Sequence, residues 1–211
     1  MTERAIGTPA AMWLVAGTLA MAACGGESTP DAREAERCPI GDMSAAPEVE
    51  IMHLDGQSAV VHTQAMAEVP LLAPPQGGWI VLLGAKARNI DGCRLTLKTV
   101  LVDACNDQIL QIDSRPTKLE VGSDGWGVSS ATTFGNLPVC PQLTAERDLH
   151  DAPYRVQVIL EDGDGKKGQA DMTIVPVCPA NTPLCTCQCG RDYVIGTDCP
   201  STAPAPHPSC P

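Results

Sequence analysis

Apolar and polar residues alternate in several stretches between residues 48 and 178 of the chain. In residues 79–87, apolar side chains occupy every odd position from Trp79 to Ala87, and Lys86 falls on the opposite face. A period of two is typical of a β-strand with one buried face. The same alternation predicts strong strands at residues 79–87, 94–104, 154–161 and 169–177. Weaker alternation predicts further strands at residues 49–53, 59–63, 108–112, 117–121 and 127–133.

Asp-Gly pairs separate many of these runs. They stand at Asp55-Gly56, Asp91-Gly92, Asp124-Gly125, Asp162-Gly163 and Asp164-Gly165. Because both residues tolerate positive φ, such a pair between two alternating runs favours a tight hairpin. Short strands joined by frequent tight turns predict an all-β protein, with an antiparallel β-sandwich over residues 48–178.

The last two strong runs resemble the closing hairpin of immunoglobulin-like domains. Tyr154 opens the first run, and a Gly-rich turn leads to the final strand. The resemblance implies a tyrosine corner, in which the Tyr154 hydroxyl bonds back to the preceding connection, and a core position for Trp79. Since no two-cysteine inter-sheet signature is evident, a jelly roll or another sandwich stays open as an alternative.

Residues 1–23 read as an export signal. A short polar segment with Arg4 precedes an apolar run of 13 residues, from Ala10 to Ala22. That run is shorter than the ~20 residues that span a bilayer, but it fits a signal peptide. The following Met21-Ala22-Ala23-Cys24 resembles the lipobox of bacterial cell-envelope lipoproteins, although Met21 stands where that family usually has Leu.

The lipobox resemblance implies that Cys24 becomes the first residue of the mature chain and carries acyl chains. Lipidation of Cys24 leaves ten of the eleven cysteines, an even number, whereas ordinary cleavage after Ala22 leaves an odd one. Several acyl chains anchor a protein stably, since each buried CH₂ contributes ~0.8 kcal/mol. Gly25 and Gly26 lack the Asp that implies retention in the inner membrane. We therefore expect the outer membrane or cell surface of a Gram-negative bacterium.

Two flanking segments lack the signal of a packed domain. Residues 24–47 are rich in Gly, Ser, Pro, Ala and charge without apolar periodicity, which is typical of a flexible tether. Cys38 within it can be stapled to the folded body. Residues 179–211 are a Cys-rich tail, and so short a segment cannot build a hydrophobic core. Disulfides must hold any fixed shape there.

The cysteines are the candidate disulfide residues. They are Cys38, Cys93, Cys105, Cys140, Cys178, Cys185, Cys187, Cys189, Cys199 and Cys210. Ten cysteines allow roughly 945 pairings. If Cys93 and Cys105 flank one strand, they lie ~40 Å apart at ~3.3 Å per residue, and they cannot pair. An immunoglobulin-like arrangement implies Cys105–Cys140 as the leading pair, because the 136–141 connection would meet Cys105 at one end of the sandwich.

Three further residues are candidates for binding. Trp126 lies at an Asp-Gly hairpin, and it is the best contact candidate among the aromatic side chains, with capping of the core as the alternative. Asp162 and Asp164 are candidate ligands of a calcium ion, but a hairpin tip explains them as well, since the EF-hand spacing fails at Thr173. The histidines His53, His62, His150 and His207 are scattered and fall in loops or on strand edges.

Composition and motifs narrow the function. The formal charge of −11 and the six aromatic residues disfavour nucleic acid, which needs cationic and stacking side chains. We find no catalytic motif and expect no cofactor or metal.

The sequence predicts a non-enzymatic envelope protein that acts as a structural or protein-interaction module and contacts the membrane through its lipid. The alternatives are a metal-binding protein using the Cys185–Cys189 thiolates or Asp162 and Asp164, and an exported hydrolase or inhibitor.

Overall fold

The described part of the chain is built almost wholly from β-strands. The computed structural model describes residues 37–142, 144–202 and 210, so the predicted signal peptide and Cys24 lie outside the described residues. The strands are β1 (Pro39–Ile40), β2 (Glu48–Leu54), β3 (Val60–His62), β4 (Ala67–Pro70), β5 (Trp79–Arg88), β6 (Ile90–Asp91), β7 (Leu95–Val102), β8 (Ile109–Thr117), β9 (Leu119–Val121), β10 (Gly127–Ser129), β11 (Gly135–Cys140), β12 (Tyr154–Asp162) and β13 (Lys167–Val177). A short helix, α1 (Pro183–Gln188), follows them.

The strands form two main sheets. The first has the order β3-β2-β5-β10-β9. Strand β11 pairs with the first half of β5, on the same edge that β10 occupies nearer the end of that strand. The second has the order β4-β13-β12-β7-β8. Neighbouring strands are antiparallel except β4, which runs parallel to β13. A separate two-stranded ladder joins β1 to β6. The all-β prediction is therefore confirmed.

The two sheets enclose one main hydrophobic core. The inward positions of β5 and β12 are fully buried at Val81, Leu83, Val156 and Val158. They belong to one packed cluster with residues of β7 and β13, as the alternation in the sequence predicts. Trp79 is also buried in this cluster, which confirms its expected core position.

A second, smaller cluster covers the outer face of the first sheet. Phe134, in the connection between β10 and β11, packs with Met52 and Leu54. Its ring lies directly over Gly84 of β5, where the Cβ of any other residue would overlap the ring. The face opposite the main core is thus partly buried, because a connection folds back across it.

Several sequence-based strand bounds need correction. The weak strand predicted at residues 127–133 ends at Ser129, and β4 was not predicted at all. The 136–141 connection is largely the strand β11, which pairs with β5 from Gly135 opposite Leu83 to Cys140 opposite Trp79. Pro138 and the polar Asn136 mask its alternation. Residues 37–47, assigned to the tether, include β1, which pairs with β6.

The chain joins the sandwich at what we call the entry end, where β7 begins and β12 ends. Cys38 forms a disulfide with Cys93, just before β7. Asp91 Oδ1 accepts the backbone N–H of both cysteines, each at 3.0 Å. Lys166, in the β12–β13 turn, donates through Nζ to the carbonyl oxygens of Met43 and Ala45, each at 2.8 Å. These contacts fix residues 38–45 on the sandwich.

Candidate functional site

The Cys-rich tail occupies the opposite end of the sandwich, which we call the tail end. Here β7 and β13 finish and β12 begins. Cys105–Cys210 joins the tail to the connection that follows β7, and Cys140–Cys189 joins it to the end of β11. Cys178–Cys185 joins the residue that follows β13 to the tail, and Cys187–Cys199 closes a loop within the tail. With Cys38–Cys93, all ten candidate cysteines are paired.

The predicted pair Cys105–Cys140 is wrong. Both cysteines do lie at the tail end, but each bonds to a tail cysteine instead. The tail packs over this end, and its cysteines lie next to Cys105, which follows β7, and Cys140, which ends β11. The exclusion of a Cys93–Cys105 bond is confirmed, because the two flank β7 and bond to Cys38 and Cys210.

Hydrogen bonds dock the tail on the connection between β11 and β12. The Leu149 amide donates to the Cys189 carbonyl, and the Arg191 amide donates to Asp148 Oδ1, each at 2.8 Å. Trp79 Nε1 donates to Gln188 Oε1 at 2.9 Å. Backbone and side-chain contacts therefore add to the disulfides in holding the short helix α1 against the sandwich.

The same connection contains a tyrosine corner. The Tyr154 hydroxyl donates to the Asp148 carbonyl at 2.8 Å, as expected from the immunoglobulin-like resemblance. Burial raises the pKa of this phenol, since the phenolate would lose its hydration. The hydroxyl thus stays protonated and acts as a structural donor.

A buried ion pair supports the corner, and sequence reasoning missed it. The Arg147 guanidinium lies 4.1 Å from the Tyr154 ring centroid and donates to Asp103 Oδ1 and to the Pro153 carbonyl. The side chains of Arg147 and Asp103 are 1% and 2% exposed. Arg147 stands in a segment without alternation, so nothing in the sequence marks its burial.

The surface of the tail combines a cavity with exposed apolar side chains. The cavity has a volume of about 270 Å³, and its lining includes Tyr193, Val194 and Pro200 together with Asp148 and Asp198. Leu184, Val194 and Ile195 are 50%, 62% and 58% exposed. A disulfide-held surface with exposed apolar side chains is a candidate contact surface for another protein.

Trp126 lies at the β9–β10 hairpin, on the outer face of the first sheet. Its ring centroid is 5.2 Å from Lys86 Nζ and 4.6 Å from the Arg88 guanidinium carbon. Lys86 also pairs with Asp124 at 2.7 Å, which raises the pKa of the lysine. The ring is half-buried and stacks against these two cations on the outer face of the sheet, so it does not cap the main core.

Asp162 and Asp164 lie at the entry end, in the β12–β13 hairpin turn. Asp162 is buried, and its Oδ1 accepts the amides of Asp164 and Lys166 at 3.0 and 2.9 Å. Asp164 instead pairs with Arg37 at 2.9 Å. The Asp162 carboxylate therefore stabilises the turn, and the Asp164 carboxylate pairs with the N-terminal segment. This agrees with the hairpin-tip interpretation, since the two carboxylates have separate partners.

Potential metal ligands converge at one place among the described residues. The sulfur atoms of Cys178, Cys185 and Cys189 lie within 4.8 Å of one another. Each of these sulfurs belongs to a disulfide, so the oxidised protein offers no thiolate there. The alternative of a metal site on the Cys185–Cys189 motif would require reduction first.

Two of the four histidines are more buried than the sequence predicts. His53 lies at the inner face of β2, and its Nδ1 is 2.9 Å from Thr63 Oγ1. Burial lowers the pKa of His53, which favours a neutral ring. His150 is buried and its Nδ1 lies 2.8 Å from Asp151 Oδ2, whereas His62 is half-exposed beside Glu50. His207 lies outside the described residues.

Comparison with known proteins gives no relative from which function can be transferred. No protein-family model matches the chain, and no curated protein matches it in sequence. Within residues 37–142, 144–202 and 210, no helix has the length and apolar character needed to cross a membrane.

Proposed function

We propose that this protein is an exported, lipid-anchored envelope protein whose disulfide-bonded tail binds another protein. In this account Cys24 carries the lipid and residues 25–36 are the tether. The sandwich is a rigid spacer, and the tail end is the contact surface. The protein has no catalytic role in this proposal.

Export is supported by the state of the cysteines. The ten cysteines from Cys38 to Cys210 form five disulfides and leave Cys24 over. Structural disulfides persist in oxidising compartments outside the cytosol. Cys24 follows the apolar run and small residues of the lipobox, so the leftover cysteine stands at the position that the lipoprotein resemblance assigns to the acyl chains.

The observation that carries the proposal is the placement of the two attachments at opposite ends of the sandwich. The chain enters at Cys38–Cys93, and the tail is bonded to Cys105 and Cys140 at the other end. The nine residues of β12 separate these ends by ~30 Å. A lipid at Cys24 tethers the entry end to the membrane, with a reach of at most ~40 Å over residues 25–36. The tail end is then the end of the sandwich farther from the point of attachment.

We also propose that the sandwich is immunoglobulin-like. The second sheet has the pattern of an immunoglobulin sheet in which a final hairpin, β12 and β13, lies beside β7 and β8. The hydrogen bond from Tyr154 to the Asp148 carbonyl supports the same assignment. The inter-sheet disulfide of antibody domains has no counterpart among the five disulfides described above.

The test is to express the full chain with Cys24→Ser in a Gram-negative host, with Ser28→Ala as the matched control. Wild type and Ser28→Ala should incorporate a fatty-acid label and fractionate with membranes. Cys24→Ser should lose the label and move to the soluble periplasmic fraction. Equal membrane association without label, or a mature chain that begins at Ala23, contradicts lipidation.

A photo-crosslinking residue in the lipidated protein tests the orientation. At Val194, on the tail end, we expect a crosslink to a discrete envelope protein. At Val121, an equally exposed residue on the β9–β10 hairpin, we expect none; both side chains are 62% exposed. Equal crosslinking at the two positions contradicts the tail as the contact surface, and crosslinking at Val121 alone would move that surface to the hairpin.

A further inference from the structure

Two disulfides at the tail end lie close enough to exchange partners once one of their sulfurs is released as a thiolate. Cys185 is bonded to Cys178, and Cys189 is bonded to Cys140. The Cys185 and Cys189 sulfurs, which belong to different disulfides, are only 3.9 Å apart. The Cys178 sulfur is within 4.8 Å of both. By contrast, Cys187, which stands between Cys185 and Cys189 in sequence, is bonded to Cys199 and is not part of this cluster.

The four cysteines differ in their access to solvent. Cys185 and Cys189 are fully buried and Cys140 is 3% exposed, whereas Cys178 is half-buried. Thiol–disulfide exchange requires a thiolate to reach one sulfur of the bond. An external thiol therefore meets the cluster first at Cys178, and the Cys140–Cys189 bond is shielded from direct attack.

We propose that Cys178 is an exchange site for external thiols and that Cys185 relays the exchange to the buried Cys140–Cys189 bond. An external thiolate attacks the Cys178 sulfur, forms a mixed disulfide with it and releases Cys185 as a thiolate. The Cys185 thiolate then attacks the Cys189 sulfur, forming Cys185–Cys189 and releasing Cys140, which takes up a proton. One external thiol is consumed and one protein thiol is formed, so the number of disulfides is unchanged.

An external dithiol completes the reaction as a reduction. Its second thiol attacks the mixed disulfide and frees Cys178, and the dithiol leaves as a cyclic disulfide. The dithiol loses two electrons, and the protein gains two thiols, at Cys178 and Cys140. The chemical class of the reagent is thus a dithiol, small or presented by an oxidoreductase.

Helix geometry disfavours the new Cys185–Cys189 bond, so the exchange between Cys185 and Cys140 runs in both directions. Residues four apart on a helix have Cβ atoms about 5–6 Å apart, whereas a disulfide needs about 3.5–4.5 Å. Cys189 is the C-terminal cap of α1, so the approach distorts only the end of the helix. The exchange also disconnects the tail from the end of β11, since Cys140–Cys189 is the bond between them.

Cys178→Ser tests the relay, because it leaves Cys185 as a free thiol beside Cys189. Alkylation under denaturing conditions, followed by tandem mass spectrometry, locates the free thiol. We expect it to be divided between Cys185 and Cys140, with a matching amount of Cys185–Cys189 bond. Label on Cys185 alone, with Cys140–Cys189 intact, overturns the proposal. The matched control, Cys187→Ser, frees Cys199 outside the cluster, and its label should stay on Cys199.

Timed reduction of the native protein provides a second measurement that does not depend on a substitution. With a small dithiol, Cys140 should become alkylatable at the same rate as Cys178, within about twofold. In Cys178→Ser/Cys185→Ser, the Cys140–Cys189 bond should be reduced at least about tenfold more slowly than in wild type. Faster reduction in the double variant would indicate loosening of the tail instead of a relay, and would contradict the proposal.

Discussion

Arg147 is a fully buried charge beside the connection on which the tail is docked. Its guanidinium is buried between Asp103 and the Tyr154 ring, and Tyr154 in turn holds the Asp148 carbonyl. A buried charge that loses its partner is costly, whereas an apolar pair of similar volume is not. Removal of one partner should therefore destabilise the connection on which the tail is docked, whereas removal of both charges should not.

Asp103→Ala should lower the free energy of unfolding by about 3–5 kcal/mol, because Arg147 keeps its buried charge without a carboxylate. The double variant Asp103→Leu/Arg147→Met should recover the part of this loss that is due to the unpaired charge, but not the part due to the Cys105 amide, which donates to Asp103 Oδ1 at 2.9 Å. Urea unfolding with the disulfides intact measures both. A loss below about 1 kcal/mol in Asp103→Ala, as for an exposed pair, would show that the pair is solvated.

At the scale of elements, the cover that Phe134 provides on the first sheet depends on a glycine. The Phe134 ring lies on Gly84 of β5, and the second apolar cluster forms around it. Gly84 keeps an ordinary strand conformation, so its role is to leave room for the ring. A larger residue there forces the β10–β11 connection away from the sheet.

Gly84→Ala should destabilise the protein by about 1–3 kcal/mol through overpacking. Gly84→Ala/Phe134→Leu should cost less than the sum of the two single variants, since the smaller side chain vacates the space of the new methyl group. Thermal unfolding of the four proteins measures this coupling. Additive losses would mean that Phe134 does not lie on Gly84 in solution.

Alternation along the sequence predicts four of the five long strands of the described residues well, whereas it gives only the first half of β8, Ile109–Thr117, and misses short strands. Strands β5, β7, β12 and β13 are long enough for a period of two to stand out. Strand β4 has four residues, and β11 contains Pro138, so their pairing depends on neighbours far along the chain. The tyrosine corner was predictable because it is a local device, whereas the Arg147–Asp103 pair joins residues 44 positions apart.

At the scale of the whole molecule, the disulfides lie at the two ends of the sandwich, one at the entry end and the others at the tail end. Cysteine parity predicts that Cys24 stands apart from the other ten, but the sequence does not predict which cysteines pair. Pairing follows from how the tail packs over the ends of β7 and β11, and that packing has no periodic signal. The leading Cys105–Cys140 pair failed for this reason, although both residues lie at the predicted end.

The central claim is that this protein works outside the cytosol with its sulfurs oxidised. The most direct test is to purify the full chain from the host envelope and denature it without reductant in excess maleimide. The account predicts that Cys38, Cys93, Cys105, Cys140, Cys178 and the five tail cysteines remain unlabelled, and that all ten react after reduction. Labelling of most of the ten before reduction would contradict it.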